Sequence, residues 1–129
     1  MRTKIATMWA DALESGEYEQ GRSVLARSFP DGRTEYCCLG VLCELAIEDE
    51  VDVPKRTAGA ADGRGDDFVT QYGRDQEADL LPNEVRVWAG MQTRCGDASV
   101  MPDSLVTLND NGTSFARIAD TIRDNADAL

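Results

Sequence analysis

The side chain that most often acts as a general base in enzymes is missing from this sequence. Histidine is absent from its 129 residues, which removes the commonest general base and any Ser–His or Cys–His nucleophile pair. A cysteine could still react if a helix N-terminus lowered its pKa, and Cys37 or Cys38 could occupy such a position. Free cysteine is more often a small buried hydrophobic residue. We therefore predict no catalytic residue, and keep a small carboxylate- or cysteine-dependent enzyme as an alternative.

The cysteines and acidic residues do not match a metal site. Only Cys38 and Cys43, with four residues between them, have a spacing found in structural zinc sites, and the sequence offers neither a second such pair nor a histidine to complete the ligand set. Twelve acidic residues lie between Glu44 and Glu84, without the alternating oxygen ligands of a calcium loop. We predict no metal and no cofactor.

Arginine gives the clearest hint of ligand binding, since eleven of the thirteen basic residues are arginine. Its guanidinium suits bidentate recognition of a carboxylate or phosphate. Polar residues also precede a C-terminal helix, whose first N–H groups are available to a ligand. The candidate ligand-binding residues are Arg86, Arg94, Arg117 and Arg123, with Asn109, Asp110, Asn111 and Ser114. The competing interpretation is that the arginines pair with the chain's own carboxylates and that Asn111-Gly112 only forms a turn.

The net charge restricts the classes of molecule that the protein is expected to bind. With 24 acidic and 13 basic residues, the formal net charge is −11, and this field repels phosphate backbones and acidic membranes. We predict no direct DNA binding and no membrane association. The adjacent Cys37 and Cys38 favour reduced thiols over disulfides, and neither a signal peptide nor a membrane-spanning run is evident. These features predict a cytoplasmic protein.

Apolar periodicity predicts several helices. Ile5 to Leu13 form an amphipathic stripe, with Thr3 as a cap and Gly16 as a stop, and a second short helix is expected to begin near Val24. Phe29-Pro30-Asp31-Gly32 predicts a turn or small hairpin. The further predicted elements are a central apolar helix over 38–48, a helix over 82–89, and two capped helices in the C-terminal third.

The expected fold is mainly α, a compact bundle of short helices around helix 38–48, with a small hairpin and a long acidic loop; an α+β fold is the alternative. Residues 1–129 are expected to form a single domain, with a flexible acidic insertion at 49–79 that contains one short strand, Phe68 to Tyr72. Gly40 within the central helix predicts close approach by another element. The predicted core contains Leu39, Leu42, Cys43, Ala46, Trp9, Leu13, Trp88, Phe115 and Ile118.

Four segments together resemble a family of small proteins encoded by bacteriophages and prophages, whose function is unknown. The segments are WADALESGEYEQG, CCLGVLCELA, LPNEVRVWAGM and SLVTLNDNGTSFARIADTI. The more specific motifs are CCLGVLC and LNDxGxSFxxIAD, and the resemblance breaks off in residues 48–79.

This resemblance implies an accessory protein of phage type, and it supplies no catalytic or binding residue. We expect a non-enzymatic protein in the host cytoplasm that binds and neutralises a host component, such as a defence protein or its nucleotide signal. The partner would be a host protein or a small anionic ligand, and self-association into a homo-oligomer is left open. The charge of −11 supports one alternative, an acidic nucleic-acid mimic that inhibits a host DNA-binding enzyme.

Overall fold

The computed structural model describes residues 1–59 and 67–129, and this part of the chain contains five helices and five strands. The helices are α1 (Thr3–Glu14), α2 (Cys38–Glu48), α3 (Asn83–Ala89), α4 (Leu105–Asp110) and α5 (Phe115–Asn125). The strands are β1 (Glu19–Gln20), β2 (Ala26–Ser28), β3 (Thr34–Tyr36), β4 (Lys55–Gly59) and β5 (Phe68–Tyr72).

Helix α1 buries one apolar stripe and exposes its other face. Trp9 and Leu13 are buried one helical turn apart. The indole N–H of Trp9 donates a hydrogen bond to the Cys38 carbonyl oxygen at 2.9 Å, which joins α1 to the start of α2. The predicted helix is confirmed, but its predicted cap is wrong. Thr3 is the first helical residue, and Arg2 is an N-cap that makes no side-chain capping bond.

The strands form one mixed sheet in the order β1-β3-β2-β5-β4. Strand β1 pairs with β3 in parallel, and the other neighbours are antiparallel. Strands β2 and β3 form the predicted hairpin, which the Phe29 N–H extends by donating to the Arg33 carbonyl oxygen at 2.8 Å.

Helix α2 lies at the centre of the core, as predicted. Every residue from Cys38 to Cys43 is buried. A Cβ atom on Gly40 would lie 1.9 Å from the Leu25 carbonyl oxygen, so the helix packs directly on the backbone that leads into β2. The same oxygen accepts a hydrogen bond from the Cys37 N–H at 3.1 Å. The predicted close approach at Gly40 is therefore confirmed.

The three C-terminal helices begin and end close to the predicted positions. Helix α3 follows Pro82 and ends at Gly90, which has a left-handed φ of 69°. Ser104 and Ser114 are the N-caps of α4 and α5, and each hydroxyl oxygen accepts an N–H hydrogen bond from the residue three positions on. The break at Asn111-Gly112 separates the two helices.

The predicted mainly α bundle is wrong, because the structure is an α+β fold with a five-stranded sheet. Its strands are only two to five residues long, too short to show a clear alternation of apolar and polar side chains. Strand β4, Lys55–Gly59, is mostly polar and exposed. Val24 does not begin a helix. The chain turns at Ser23, where φ is 72°, and continues into β2.

The range 49–79 contributes to the sheet. The predicted strand from Phe68 to Tyr72 is present, and β4 pairs with it along its length. Tyr72 is fully buried, and Lys55 on β4 lies with its Nζ 2.7 Å from Glu44 Oε1 on α2. This part of the chain therefore contacts the central helix. Residues 60–66 of the predicted flexible insertion lie outside the described residues, and its flexibility stays a prediction.

The predicted core is confirmed with one exception. The buried members are Trp9, Leu13, Leu39, Leu42, Cys43, Ala46, Phe115 and Ile118. Trp88 is only half-buried, since its indole N–H donates to Asp49 Oδ2 at 2.9 Å near the surface.

Substitution of Gly40 by alanine tests the packing of α2 on the strand backbone. The new methyl group would overlap the Leu25 carbonyl oxygen, and backbone cannot rotate away as a flexible side chain can. We expect Gly40→Ala to lower the free energy of unfolding by at least about 1–3 kcal/mol, measured by urea denaturation. Gly59→Ala is the control, because no atom of the described residues lies within 4 Å of its added Cβ, and it should change stability by less than about 0.5 kcal/mol. Equal stability of the two variants would contradict the close approach.

Candidate functional site

Polar side chains gather on one face of the sheet. Side chains alternate across a strand, so Arg27 lies on the face opposite to that of the buried Ala26. Arg27 is directly opposite Glu35 in β3 and Val69 in β5. These three residues therefore share one face, which we call the outer face.

A cleft of about 510 Å³ opens on the outer face. It is lined by residues 20–23, Arg27, Phe29, Glu35 and Asp67. Its volume lies within the range of small-molecule sites, roughly 300–1,000 Å³. Two arginines and two carboxylates in its lining make this outer-face cleft suited to a polar or charged ligand.

Most charges in and beside the outer-face cleft are paired within the protein. Arg27 Nη1 lies 3.8 Å from Asp67 Oδ2, and each side chain is less than one-fifth exposed. At the hairpin, Arg33 Nη1 lies 3.1 Å from Glu19 Oε1 and 3.3 Å from Glu35 Oε2. The hydrogen bond to Glu19 is the largest cause of a raised pKa at Arg33. These pairs fix the positions of the charged groups.

Arg22 differs from those arginines. It is exposed at the cleft and forms no ion pair with a carboxylate anywhere in residues 1–59 and 67–129. Its guanidinium lies against Gly112, where a Cβ atom would be 2.8 Å from Arg22 Nη2. Gly112 also has a φ of 92°, which favours glycine. With glycine at position 112, the turn between α4 and α5 thus leaves room for the Arg22 side chain, which has no carboxylate partner among the described residues.

The loop that carries Arg22 is held in a strained conformation. Ser23 has a φ of 72°, which costs a non-glycine residue about 1–3 kcal/mol. Its N–H donates a hydrogen bond to Asp110 Oδ1 at 2.9 Å. Two residues on, the Leu25 N–H donates to the Ala78 carbonyl oxygen at 2.6 Å. Strain of this kind persists where neighbouring contacts enforce it, and it is concentrated at ligand sites.

The buried side chain of Asn109 makes hydrogen bonds that support this loop. Its Oδ1 accepts hydrogen bonds from the Cys38 N–H at 3.1 Å and from Gln20 Nε2 at 3.0 Å. Its Nδ2 donates to the Gly21 carbonyl oxygen at 2.8 Å. Asn109 therefore satisfies the first N–H of α2 and fixes the backbone next to Arg22.

Gln20 extends the same arrangement towards α5. Its Nε2 also donates to the Thr113 carbonyl oxygen at 2.8 Å, and its Oε1 accepts the Phe115 N–H at 3.1 Å. The Gln20 side chain thereby satisfies the first N–H of α5, as Asn109 does for α2. We refer to Gln20 and Asn109 as the amide pair.

The predicted turn residues have different positions. Asn109 and Asp110 hold the loop at the edge of the outer-face cleft. Asn111 is exposed and is the C-cap of α4, and Ser114 caps α5 through the Arg117 N–H. The structure thus brings two of the four next to a cleft, in supporting positions. Their direct contact with a ligand stays a prediction.

The four predicted arginines do not converge. Arg86 donates to Asn83 Oδ1 and the Met91 carbonyl oxygen. Arg94 forms an ion pair with Glu77 and donates to the Leu81 carbonyl oxygen. Arg123 on α5 pairs with Asp11 and Glu14 of α1, and with Asp120. The side chain of Arg117 is exposed and has no ion-pair partner among the described residues. Two of the four, Arg94 and Arg123, therefore pair with carboxylates as the competing interpretation expects, whereas Arg86 bonds only uncharged groups in the described part of the chain.

Sequence reasoning missed the residues of the outer-face cleft. The predicted hairpin contained a usable signal, since alternation across it places Arg27 and Phe29 on the same face as Arg33 and Glu35. Arg22 had no such signal, because its position depends on the loop that Asn109 and Asp110 hold.

A family model described as a domain of unknown function, DUF8296, matches residues 1–126. The chain belongs to the DUF8296 family. No curated protein and no solved structure matches it. The predicted relation to an uncharacterised family is therefore confirmed at the level of DUF8296.

The four cysteines of this DUF8296 chain are free thiols. Burial raises the pKa of Cys37 to about 11 and the pKa values of Cys38 and Cys43 well above their usual range. Cys95 is partly exposed, and desolvation followed by a hydrogen bond to Asp97 raises its pKa as well. At neutral pH all four are protonated and therefore weakly nucleophilic.

Neither a metal-ligand cluster nor a membrane-spanning helix is present in the described ranges of the DUF8296 chain. Residues 1–59 and 67–129 contain no group of three or more His, Cys, Asp or Glu side chains arranged to hold a metal ion. Within the same ranges, no helix combines the length and the apolar character needed to cross a bilayer.

Removal of the Asn109 amide tests its structural role. Asn109→Ala leaves the Cys38 N–H and the Gly21 carbonyl oxygen without their buried partner. Each unsatisfied buried group costs about 1–3 kcal/mol, so we expect a loss of about 2–5 kcal/mol in the free energy of unfolding. The matched control is Asn111→Ala at an exposed position, with an expected change below about 0.5 kcal/mol. A stable Asn109→Ala protein would show that these bonds do not support the fold.

The thiol pKa values can be tested by alkylation of the native protein. At pH 7 we expect slow maleimide labelling of Cys95 only, because the other three thiols are buried as well as protonated. Unfolding in guanidinium chloride should make all four reactive. Fast labelling of Cys37 or Cys38 in the native state, located by peptide mass spectrometry, would instead favour a cysteine-dependent enzyme.

Proposed function

We propose that this DUF8296 protein is a non-enzymatic binding protein that captures a small anionic ligand in the outer-face cleft. The observation that carries the proposal is Arg22, a cation at a cleft of about 510 Å³ with no carboxylate partner among the described residues. Other arginines, such as Arg117, also have no ion-pair partner among the described residues, but Arg22 is the one that lines this cleft, where its guanidinium provides a local site for an anion.

The rigidity of the site favours binding, because the loop and the side chains that form it are held in place before a ligand arrives. The Arg22 loop is fixed by Asp110 and by the amide pair, and the cleft floor by the Arg27–Asp67 contact. A site whose groups are already ordered loses less entropy when a ligand binds. Strain at Ser23 fits the same interpretation.

The available side chains support binding better than catalysis. The sequence has no histidine, and the thiols of Cys37, Cys38 and Cys43 are buried and protonated. The cleft also contains the Ser23 hydroxyl, but a serine nucleophile requires a base within hydrogen-bond reach. No hydrogen bond joins that hydroxyl to a base among the described residues.

The phage-type role is a further part of the proposal. It rests on the motifs CCLGVLC and LNDNGTSFARIAD, which form α2 and the α4–turn–α5 unit. These motifs supply Asn109 and Asp110, which bond the backbone on either side of Arg22, and Gly112, against which its guanidinium lies. In this proposal the protein acts in the cytoplasm of an infected host cell and neutralises a host component by removing a small anionic ligand from solution. The free thiols are compatible with that reducing compartment.

Equilibrium dialysis against a deproteinised bacterial extract tests the binding function. We expect mass spectrometry to find at least one anionic compound enriched on the side that contains the protein. Arg22→Gln should remove most of the enrichment without changing the melting temperature, since Arg22 is exposed and has no ion-pair partner in the described ranges. Arg56→Gln is the matched control, because Arg56 is an exposed arginine of β4 outside the cleft lining. Absence of any enriched anion, or equal enrichment by Arg22→Gln, would contradict the proposal.

A further inference from the structure

If the proposed binding function holds, the cleft lining and the charge of the chain restrict which class of ligand can bind. The lining contributes the Arg22 guanidinium, the Phe29 ring and two carboxylates, and the chain as a whole is acidic. We infer that the ligand is a nucleoside monophosphate.

The anchor at Arg22 suits a terminal phosphate. A guanidinium can donate two parallel hydrogen bonds to phosphate oxygens, and such charge-assisted bonds are the stronger kind. Arg22 lies at the edge of the cleft, packed against Gly112, and the other arginine in the lining, Arg27, is near Asp67. A singly substituted phosphate would therefore find its main cationic partner at Arg22.

Phe29 supplies a flat apolar surface in the same cleft. The Arg33 guanidinium carbon lies 4.5 Å from the centre of the ring, so arginine covers one side of the aromatic group. Phe29 is only half-buried, and it contributes to the cleft lining. Nucleobases stack on aromatic rings exposed on sheet faces, and an adjacent arginine adds a cation–π contribution. The ring thus offers a platform for a base.

The remaining polar groups match the donors of a nucleoside. Ionised Glu35 and Asp67 can only accept hydrogen bonds, so their partners must be donors such as ribose hydroxyls or exocyclic amino groups. Acetate lacks both these donors and a ring for Phe29, and inorganic phosphate, whose P–OH groups can donate, lacks the ring.

Charge distinguishes a monophosphate from longer phosphates. Only Arg22 in the cleft lining is without a carboxylate partner among the described residues, and the chain carries a net charge of −11. Each additional phosphate would bring more negative charge towards Glu35 and Asp67, and the described part of the lining offers no second arginine without a carboxylate partner. The site should therefore prefer a monophosphate to the corresponding triphosphate.

Isothermal titration calorimetry of the protein with AMP, GMP, CMP and UMP tests the inference. We expect at least one monophosphate to bind at least about tenfold more tightly than its nucleoside, which lacks the charge-assisted contact to Arg22, and than inorganic phosphate, which lacks the stacked base. The corresponding triphosphate should also bind less tightly, because of its additional negative charge. Arg22→Gln and Phe29→Leu should each weaken binding by about 10-fold or more, and Arg56→Gln should leave it unchanged. The melting temperature of each variant confirms that it is folded.

Two outcomes would overturn the inference. One is that none of the four monophosphates binds, while dialysis still shows an anion whose enrichment depends on Arg22; the binding function then stands and the nucleotide assignment fails. The other is that folded Phe29→Leu binds the monophosphate as tightly as the unchanged chain, which would exclude stacking on this ring. If dialysis also shows no enriched anion, the proposed function fails as well.

Discussion

The amide pair, Gln20 and Asn109, joins parts of the chain that are distant in sequence. Their two side chains satisfy the first N–H groups of α2 and α5 and the carbonyl oxygens of Gly21 and Thr113. Unsatisfied groups at these buried and partly buried positions would be costly, so the two helices, β1 and the Arg22 loop have to adopt one mutual arrangement. Apolar contacts alone are not directional and would not impose this alignment.

The backbone contact at Gly40 adds a second constraint on the same region. Helix α2 lies against the Leu25 carbonyl oxygen, which fixes the start of β2 relative to the core. Strand β2 then places Arg27 on the outer face, opposite Glu35 and Val69. The proposed binding groups are thus carried by short strands and a strained loop, but their positions are determined by the central helix and the amide pair.

Much of the helical structure could be predicted from the sequence. The apolar stripe of α1, the apolar run of α2, and the caps at Ser104 and Ser114 are local signals, and each gave a helix close to its observed bounds. The hairpin and the strand Phe68–Tyr72 were predicted, but their assembly with β1 and β4 into one sheet was missed for a physical reason. Strands such as Glu19–Gln20 and Ala26–Ser28 are too short for periodicity, and they exist because neighbouring strands provide hydrogen-bond partners. A mainly α fold was therefore predicted where the structure is α+β.

The candidate site likewise combines features that the sequence alone determined with features that only the tertiary structure determined. The sequence alone determined the absence of histidine, the net charge of −11, the hairpin turn after Phe29 and the polar turn at Asn109 to Ser114. Only the tertiary structure decided which arginine is uncompensated at a cleft, because ion pairing depends on distances between elements. Arg123 is paired across two helices, whereas Arg22 lies against Gly112 without a carboxylate partner in the described ranges. The sequence contains both as similar basic residues, and the difference arises from long-range packing that local patterns do not encode.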